Sequence, residues 1–346
     1  MISQMEKEAL FAPEAIARQF AGNQQILQAL AKRIHSASPR FAVTIARGSS
    51  DHAATFAKYL LETQLGLVTS SAAPSVVTLY EAKLQLRDAL VIGLSQSGQS
   101  PDIAEMLQNA RAAGAITVAF VNHSDSPLAH AAEFVVPLCA GDELAVAATK
   151  SYITTLSALV HLIACLKEEA ALSKALLALP DAMTAAAKMD WSAAIEVYLQ
   201  QKNTLVIGRG FSYPIAQETA LKFKETAVIH AEAFSGAELL HGPFALVQPD
   251  FPLLMYAGKD AALPGVLALA QRVKQLGAKT LVVASHDVAV SSEEASIKLP
   301  IPNALHPLCD PLMMIQAMYI MMARLAIARG YNPDAPKNLS KVTKTW

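Results

Sequence analysis

The sequence predicts an α/β protein built of two tandem units, each a doubly wound parallel sheet with helices on both faces. Two observations carry that reading. The first is alternation. Apolar, strand-like runs at 41–45, 89–94, 116–120 and 134–136 are separated by helix-length stretches such as 53–65 and 102–113. Strands that alternate with helices of this length pair in parallel, because each crossover needs a helix to return the chain. The second is repetition. Arg47-Gly48-Ser49-Ser50 matches Arg209-Gly210-Phe211-Ser212 at an offset of 209 − 47 = 162. Gly114-Ala115 matches Gly277-Ala278 at 277 − 114 = 163, and Pro137 matches Pro300 at 300 − 137 = 163. Three landmarks at one spacing indicate a duplicated unit.

Taken in order, Met5 to Phe20 reads as an amphipathic arm interrupted by Pro13, and Gln24 to Ser36 as a second helix. Lys167 to Asp190 is Ala-rich and helical, and it joins the two copies. The expected organisation is an N-terminal arm (1–36), a first domain (37–190), a second domain (191–330) and a tail (331–346). With 53% hydrophobic residues, the chain is apolar enough to cover an oligomer interface as well as its cores. The apolar stretch Ser151 to Leu166 is shorter than the ~20 residues of a membrane span. The helix at Leu312 to Ala328 is broken by Gln316 and Arg324. No secretory signal opens the chain. Cys139, Cys165 and Cys309 lie far apart without metal-ligand spacing, which predicts buried free thiols in a reducing cytoplasm. A net charge of −1 without a basic run argues against a nucleic-acid partner.

The copies differ where chemistry would sit. After its second strand the first copy has Ser95-Gln96-Ser97-Gly98-Gln99-Ser100, and the second has Ala257-Gly258-Lys259-Asp260. Hydroxyls and amide N–H groups between a strand and a helix suit a phosphate dianion. Ser100 and Pro101 equally suit a helix start, as N-cap and first-turn proline. No lysine of the nucleotide-triphosphate type follows. Gly141 to Ser151 is a glycine-opened segment that can close over a ligand or simply cap the next helix. In the second copy, residues 220–243 gather Glu225, Glu232, Glu238, His230 and His241. Their first part is helical, so Lys222 and Glu225, three apart, share a face. Ser235-Gly236 reads as a turn, and His241-Gly242-Pro243 ends any helix.

Together with Val146-Ala147-Ala148-Thr149-Lys150 and Asn338-Leu339-Ser340-Lys341, these motifs resemble the double sugar-isomerase (SIS) module of glucosamine-6-phosphate synthase. Met5-Glu6-Lys7-Glu8 and Pro13-Glu14-Ala15-Ile16 resemble the arm before that module. The resemblance implies two flavodoxin-like domains, a homodimer with shared active sites, and neither cofactor nor metal. Carried over by motif, Ser50, Ser95, Ser97, Ser100 and the Gln96 amide hold the sugar phosphate, with Ser49 and Val146 also at the substrate. Ser49 and Ser100 stand where the synthase has threonine. Glu225 matches the proton-transfer base and Lys222 its neighbour. His241 matches the ring-opening histidine supplied by the partner subunit, and Lys341 the lysine that forms a Schiff base.

The chain begins Met-Ile-Ser where the synthase has a glutamine amidotransferase domain, so the expectation is a stand-alone member of the family. Such members include amino-sugar-phosphate deaminases, fructosamine-phosphate deglycases and aldose-ketose isomerases, and the constellation is most similar to the glucosamine-6-phosphate deaminases of this fold. The alternative of another class is a sugar-phosphate sensor. Regulators of that kind carry a helix-turn-helix, and residues 1–36 do not resemble one.

Overall fold

In the structure, a computed structural model that describes residues 2–340, the first copy contributes β1 (Phe41–Ile45), β2 (Thr69–Ser71), β3 (Ala89–Ser95), β4 (Ile116–Val121) and β5 (Phe134–Pro137). They form one sheet in the order β2-β1-β3-β4-β5, with every neighbouring pair parallel. The second copy contributes β6 (Asn203–Gly208), β7 (His230–Ser235), β8 (Pro252–Tyr256), β9 (Lys279–Ser285) and β10 (Ile297–Ile301). Their order is β7-β6-β8-β9-β10, the same topology, again all parallel. Corresponding strands begin at offsets of 203 − 41 = 162, 252 − 89 = 163, 279 − 116 = 163 and 297 − 134 = 163. The duplication read from three landmarks therefore extends over the sheets.

The four strands expected in the first copy are present. Two elements of the sheets were not legible, β2 and β7. Both are edge strands with a single neighbour. An edge needs only half of its backbone groups paired and no apolar face on its outer side. Thr69-Ser70-Ser71 is polar, and β7 exposes His230 and Glu232 while burying Ala231. Charged residues on an edge discourage pairing with another chain, and they also erase the apolar run that marks a strand.

The arm differs from expectation. One helix, α1 (Gln4–Ala37), replaces the two separate pieces and carries Pro13 inside it. Proline has no N–H to donate to residue i−4. The carbonyl left over is that of Ala9, and it accepts a hydrogen bond from Gln316 Nε2 at 2.9 Å. A partner from outside the helix thus replaces the missing bond and lets the helix run on.

The chain forms two compact units. One holds the first copy, as residues 14–143 and 150–176; the other holds the second copy, as residues 177–340 with 2–13 and 144–149. In the first unit α2 (Ser49–Leu65), α3 (Ser75–Thr78), α4 (Pro101–Ala112), α5 (Pro127–Ala131) and α6 (Lys150–Lys167) flank the sheet. Val43, Val91, Ile103, Leu107 and Leu128 belong to its core. α7 (Ala170–Ala186) joins the copies. In the second unit α8 (Ser192–Tyr198), α9 (Tyr213–Thr226), α10 (Leu263–Gln275) and α11 (Asp310–Ala328) surround a core that includes Ile207, Met255, Val266 and Val282. By length and composition α11 could cross a membrane, yet 83% of it is buried inside the protein. It packs on α9 and α8, and this is a core helix.

Candidate active site

In a sheet ordered 2-1-3-4-5 the chain leaves the first strand toward one side and the third toward the other, which opens a crevice at their carboxyl ends. In the first unit the loops after β1 and β3 border that crevice. The β1 loop is Arg47-Gly48 followed by Ser49 and Ser50 in the first turn of α2. Gly48 has φ 56° and ψ −133°, a region that side chains enter rarely, so the chain can turn directly from strand to helix. The β3 loop is Ser95 to Ser100. Gly98 has φ 65°, and a Cβ there would lie 2.1 Å from Ser126 Oγ and 2.8 Å from Val121 Cγ2. No other residue fits without moving α5, because Ser126 Oγ caps that helix at Ala129 N.

The hydroxyls of this loop have internal work. Ser95 Oγ accepts the Gly98 N–H at 3.0 Å, and Ser97 Oγ accepts the Gln99 N–H at 3.3 Å. Each bond fixes the oxygen and leaves the hydroxyl hydrogen for another acceptor. Gln96 is held through its backbone, whose carbonyl accepts from Asn122 N at 3.2 Å. Ser100 is the N-cap residue of α4, as expected, but its side chain makes no capping bond. The two loops are also tied to each other. Asp102, almost fully buried in the first turn of α4, accepts from Arg47 Nη2 at 2.8 Å and Nε at 3.2 Å. The sequence marked Arg47 only as part of a repeat landmark and gave no sign of its pairing with Asp102.

The second unit carries a cluster of charged side chains. Lys222 on α9 has no exposed surface. Its Nζ lies 2.5 Å from Glu225 Oε2 and 3.1 Å from Glu218 Oε1. Glu218 is itself fully buried and accepts from Tyr319 Oη of α11 at 2.9 Å. Burial works against the ammonium, but the carboxylates of Glu218 and Glu225 outweigh it, and the Lys222 pKa rises above the ordinary lysine value. Glu225 is the open end of the chain of charges, with 24% of its side chain exposed. The face shared by Lys222 and Glu225 is as the spacing implied, and Lys224 points to solvent. Glu218 went unnoticed although it lies four residues before Lys222, a helical neighbour. Tyr319 has no local signal at all.

His241 sits on an exposed turn after β7, its N–H donating to Glu238 O, with Gly242 at φ 128° completing the reversal. Among the described residues no hydrogen bond joins His241 to Glu225. Lys341 lies outside the described residues. Val146 belongs to a strap fastened by both ends of the second unit. Glu8 of α1 accepts from Leu144 N at 2.6 Å and Ala145 N at 3.3 Å, and the Asp334 carbonyl accepts from Val146 N at 3.1 Å. These N–H groups are therefore engaged by protein, and the Val146 carbonyl is the backbone group that remains. Among the described residues no His, Cys, Asp or Glu side chains gather three at a time as a metal site.

The matching crevice of the second copy, between β6 and β8, has a different character. Ser212 Oγ is committed to Arg209 N, Arg209 O and Tyr256 O. Asp260 lies within 4 Å of where side chains on Gly210 and Gly258 would start. Burial pushes the carboxyl of Asp310, at the start of α11, up to about 7, against the Lys259 N–H that it accepts. Acids have replaced the hydroxyls, so this crevice does not suit a phosphate.

The fold and the first crevice define a class: a duplicated, doubly wound α/β protein with an anion-suited loop pair in one copy only. Comparison narrows it. The SIS domain model matches residues 37–165 and 198–328, and the chain belongs to that family. A glutamine–fructose-6-phosphate aminotransferase (isomerizing) of Pseudomonas syringae pv. tomato is 30% identical over 358 residues, covering 97% of this chain and 58% of the relative. The chain thus spans little more than half of that protein. Among solved structures, a candidate phosphosugar isomerase from Silicibacter pomeroyi superposes with a TM-score of 0.90 at 38% identity, covering 96% of this chain and all of the other. The C-terminal domain of glucosamine-fructose-6-phosphate aminotransferase from Francisella tularensis gives 0.83 at 25% identity, covering 96% and 98%.

Two predictions test the electrostatics. Lys222→Met leaves the buried Glu218 carboxylate without its cation. It should cost about 3–5 kcal/mol in urea unfolding, and a loss below about 1 kcal/mol would contradict the buried ion pair. Asp310 holds its proton more tightly folded than unfolded. Its contribution is therefore fully present below pH 3.8 and is lost as pH rises to about 7. Asp310→Asn should flatten the stability profile between about pH 4 and 7, read from urea melts across that range; an unchanged slope would refute it.

Proposed function

We propose that this protein converts glucosamine 6-phosphate and water to fructose 6-phosphate and ammonia. The observation that carries the reading is the carboxylate of Glu225, open on one side and oriented by a buried lysine on the other. The reading assigns phosphate holding to Ser49, Ser50, Ser95, Gln96, Ser97 and Ser100, with Val146 contributing its carbonyl. His241 moves the proton that opens the ring at O5, a task suited to imidazole near neutral pH. Glu225 takes the C2 proton and returns it to C1 on the same face of a cis-enolamine. The resulting C2 imine is hydrolysed by water, directly or after exchange onto Lys341. The relatives support the substrate pair, since the aminotransferase names both fructose 6-phosphate and amino transfer. Ammonia is almost wholly protonated at neutral pH, which favours its release. A plain aldose–ketose isomerase is the second reading, favoured by the Silicibacter pomeroyi protein.

Incubation with glucosamine 6-phosphate in deuterium oxide tests the reaction. Ammonia and fructose 6-phosphate should appear together, with deuterium at C1 by NMR, and Glu225→Gln should lower the rate by at least about 100-fold. A folded protein that interconverts phosphosugars without releasing ammonia from this substrate supports the second reading instead. Release of a free amino acid from a fructosamine phosphate would make it a deglycase.

We propose further that the working form is a homodimer in which His241 serves the partner's site, consistent with its exposed turn. Glu225→Gln and His241→Ala chains, each inactive alone, should regain activity when mixed as heterodimers. Heterodimers that form and stay inactive would sink the shared arrangement.

A further inference from the structure

We propose that Arg47 is the cationic ligand of the phosphate in the first unit, and that Asp102 is the residue that positions it. The inference rests on the phosphate-binding reading of the β1 and β3 loops. Every group that reading assigns there is neutral: five hydroxyls and one amide. A dianion bound only by neutral donors keeps its full charge in a partly desolvated crevice, which is costly. Arg47 is the cation that the β1 loop itself supplies, one residue before Gly48 and two before Ser49.

The geometry equips it for the task. Both Nε and Nη2 donate to a single oxygen, Asp102 Oδ2. A guanidinium has five N–H donors, so three remain, two of them on Nη1. The Arg47 side chain is 44% exposed while that of Asp102 is fully covered. The buried acid therefore clamps one edge of the guanidinium, and its other edge stays open. Asp102 is itself held in place, since its Oδ1 accepts from Ile103 N at 2.9 Å. The result is one preset rotamer with a planar pair of donors, the arrangement that recognises phosphate oxygens two at a time. Asp51, in the first turn of α2, is the other acid close to Arg47. Burial raises its carboxyl pKa, with His52 and Arg47 acting the other way.

The second copy supplies an internal control. Arg209 occupies the place equivalent to Arg47, but among the described residues it makes no ion pair. Its crevice has lost the hydroxyls as well. The clamp and the hydroxyl loop occur together or not at all.

Inorganic phosphate is the probe, titrated calorimetrically into the intact protein and into Arg47→Met, Arg47→Lys and Ser97→Ala. Arg47→Met should weaken binding about tenfold or more, and Arg47→Lys several-fold, because lysine keeps the charge but loses the fork. Ser97→Ala should weaken it as well, since it removes one hydroxyl donor. If Ser97→Ala weakens binding and both Arg47 variants match the parent, the inference is overturned while the loop reading stands. If neither position matters, the loop reading itself fails. Should Arg47→Met not fold, Arg47→Lys retains a cation for Asp102 and decides the case alone.

Discussion

A lysine ammonium with no exposed surface is the constraint that the second unit is built around. Removing such an ion from water costs several kcal/mol unless partners replace the lost solvation. Lys222 has two carboxylates, one on each side along α9, at 3.1 and 2.5 Å. Glu218 is equally buried and needs its own donors, which are Lys222 and the Tyr319 hydroxyl from α11. Each buried group makes the next one necessary, until the series reaches Glu225 at the surface. The consequence is mechanical as well as electrostatic. The Tyr319–Glu218 hydrogen bond ties α11 to α9. The one carboxylate left open is held still by the group behind it. The proton transfer proposed for Glu225 would need such an orientation, because the same carboxylate must reach two adjacent carbons on one face.

Duplication explains why the two crevices can differ so much while the sheets do not. Strand offsets of 162 and 163 and identical strand order show that the framework has been kept. Framework residues answer to parallel pairing and to burial on both faces, and these demands are the same in each copy. Loop residues answer to whatever occupies the crevice. At the end of β1 the first copy has Ala46, and at the matching place the second has Gly208, where a Cβ would meet Ser212 O at 2.4 Å. Ser212 folds back onto Arg209 and Tyr256. The hydroxyl is kept in sequence, and in the second copy it is spent on the protein's own backbone. A serine matched by alignment is thus no guide to its role until its hydrogen bonds are known.

That point marks where the sequence was legible and where it was not. The four apolar strands of the first copy, the repeat and the shared face of Lys222 and Glu225 follow from local periodicity, and the structure has them. The edge strands β2 and β7 escaped because half-paired strands need no apolar run. The continuity of α1 through Pro13 escaped because the compensating donor, Gln316, lies 307 residues away from Ala9. The same holds for the site. Glu218 stands at helical spacing from Lys222 and could have been found. Tyr319, and the partnership of Arg47 with Asp102 across 55 positions, depend on which strands neighbour each other. Periodicity reports on one element at a time, and these contacts are properties of the topology.

The strap at Val146 extends the argument to segments that local pattern treats as ends. Asp334 sits in a polar stretch with two prolines nearby, a composition that normally frays. Its carboxylate instead accepts from Gln4 N at 2.9 Å and Met5 N at 2.7 Å, the uncapped first N–H groups of α1. A carboxylate at a helix N-terminus both satisfies those donors and complements the helix dipole, together worth about 1 kcal/mol or more. The Asp334 carbonyl holds Val146 N, while Glu8, one turn further along α1, holds Leu144 N and Ala145 N. Arg324 of α11 pairs with Glu6 on the same arm at 2.8 Å. Three segments far apart in sequence thus satisfy one another's backbone groups, and none could be ordered by its own residues. The strap that bears Val146 is held from outside, by the arm and the tail, and its conformation depends on both being in place.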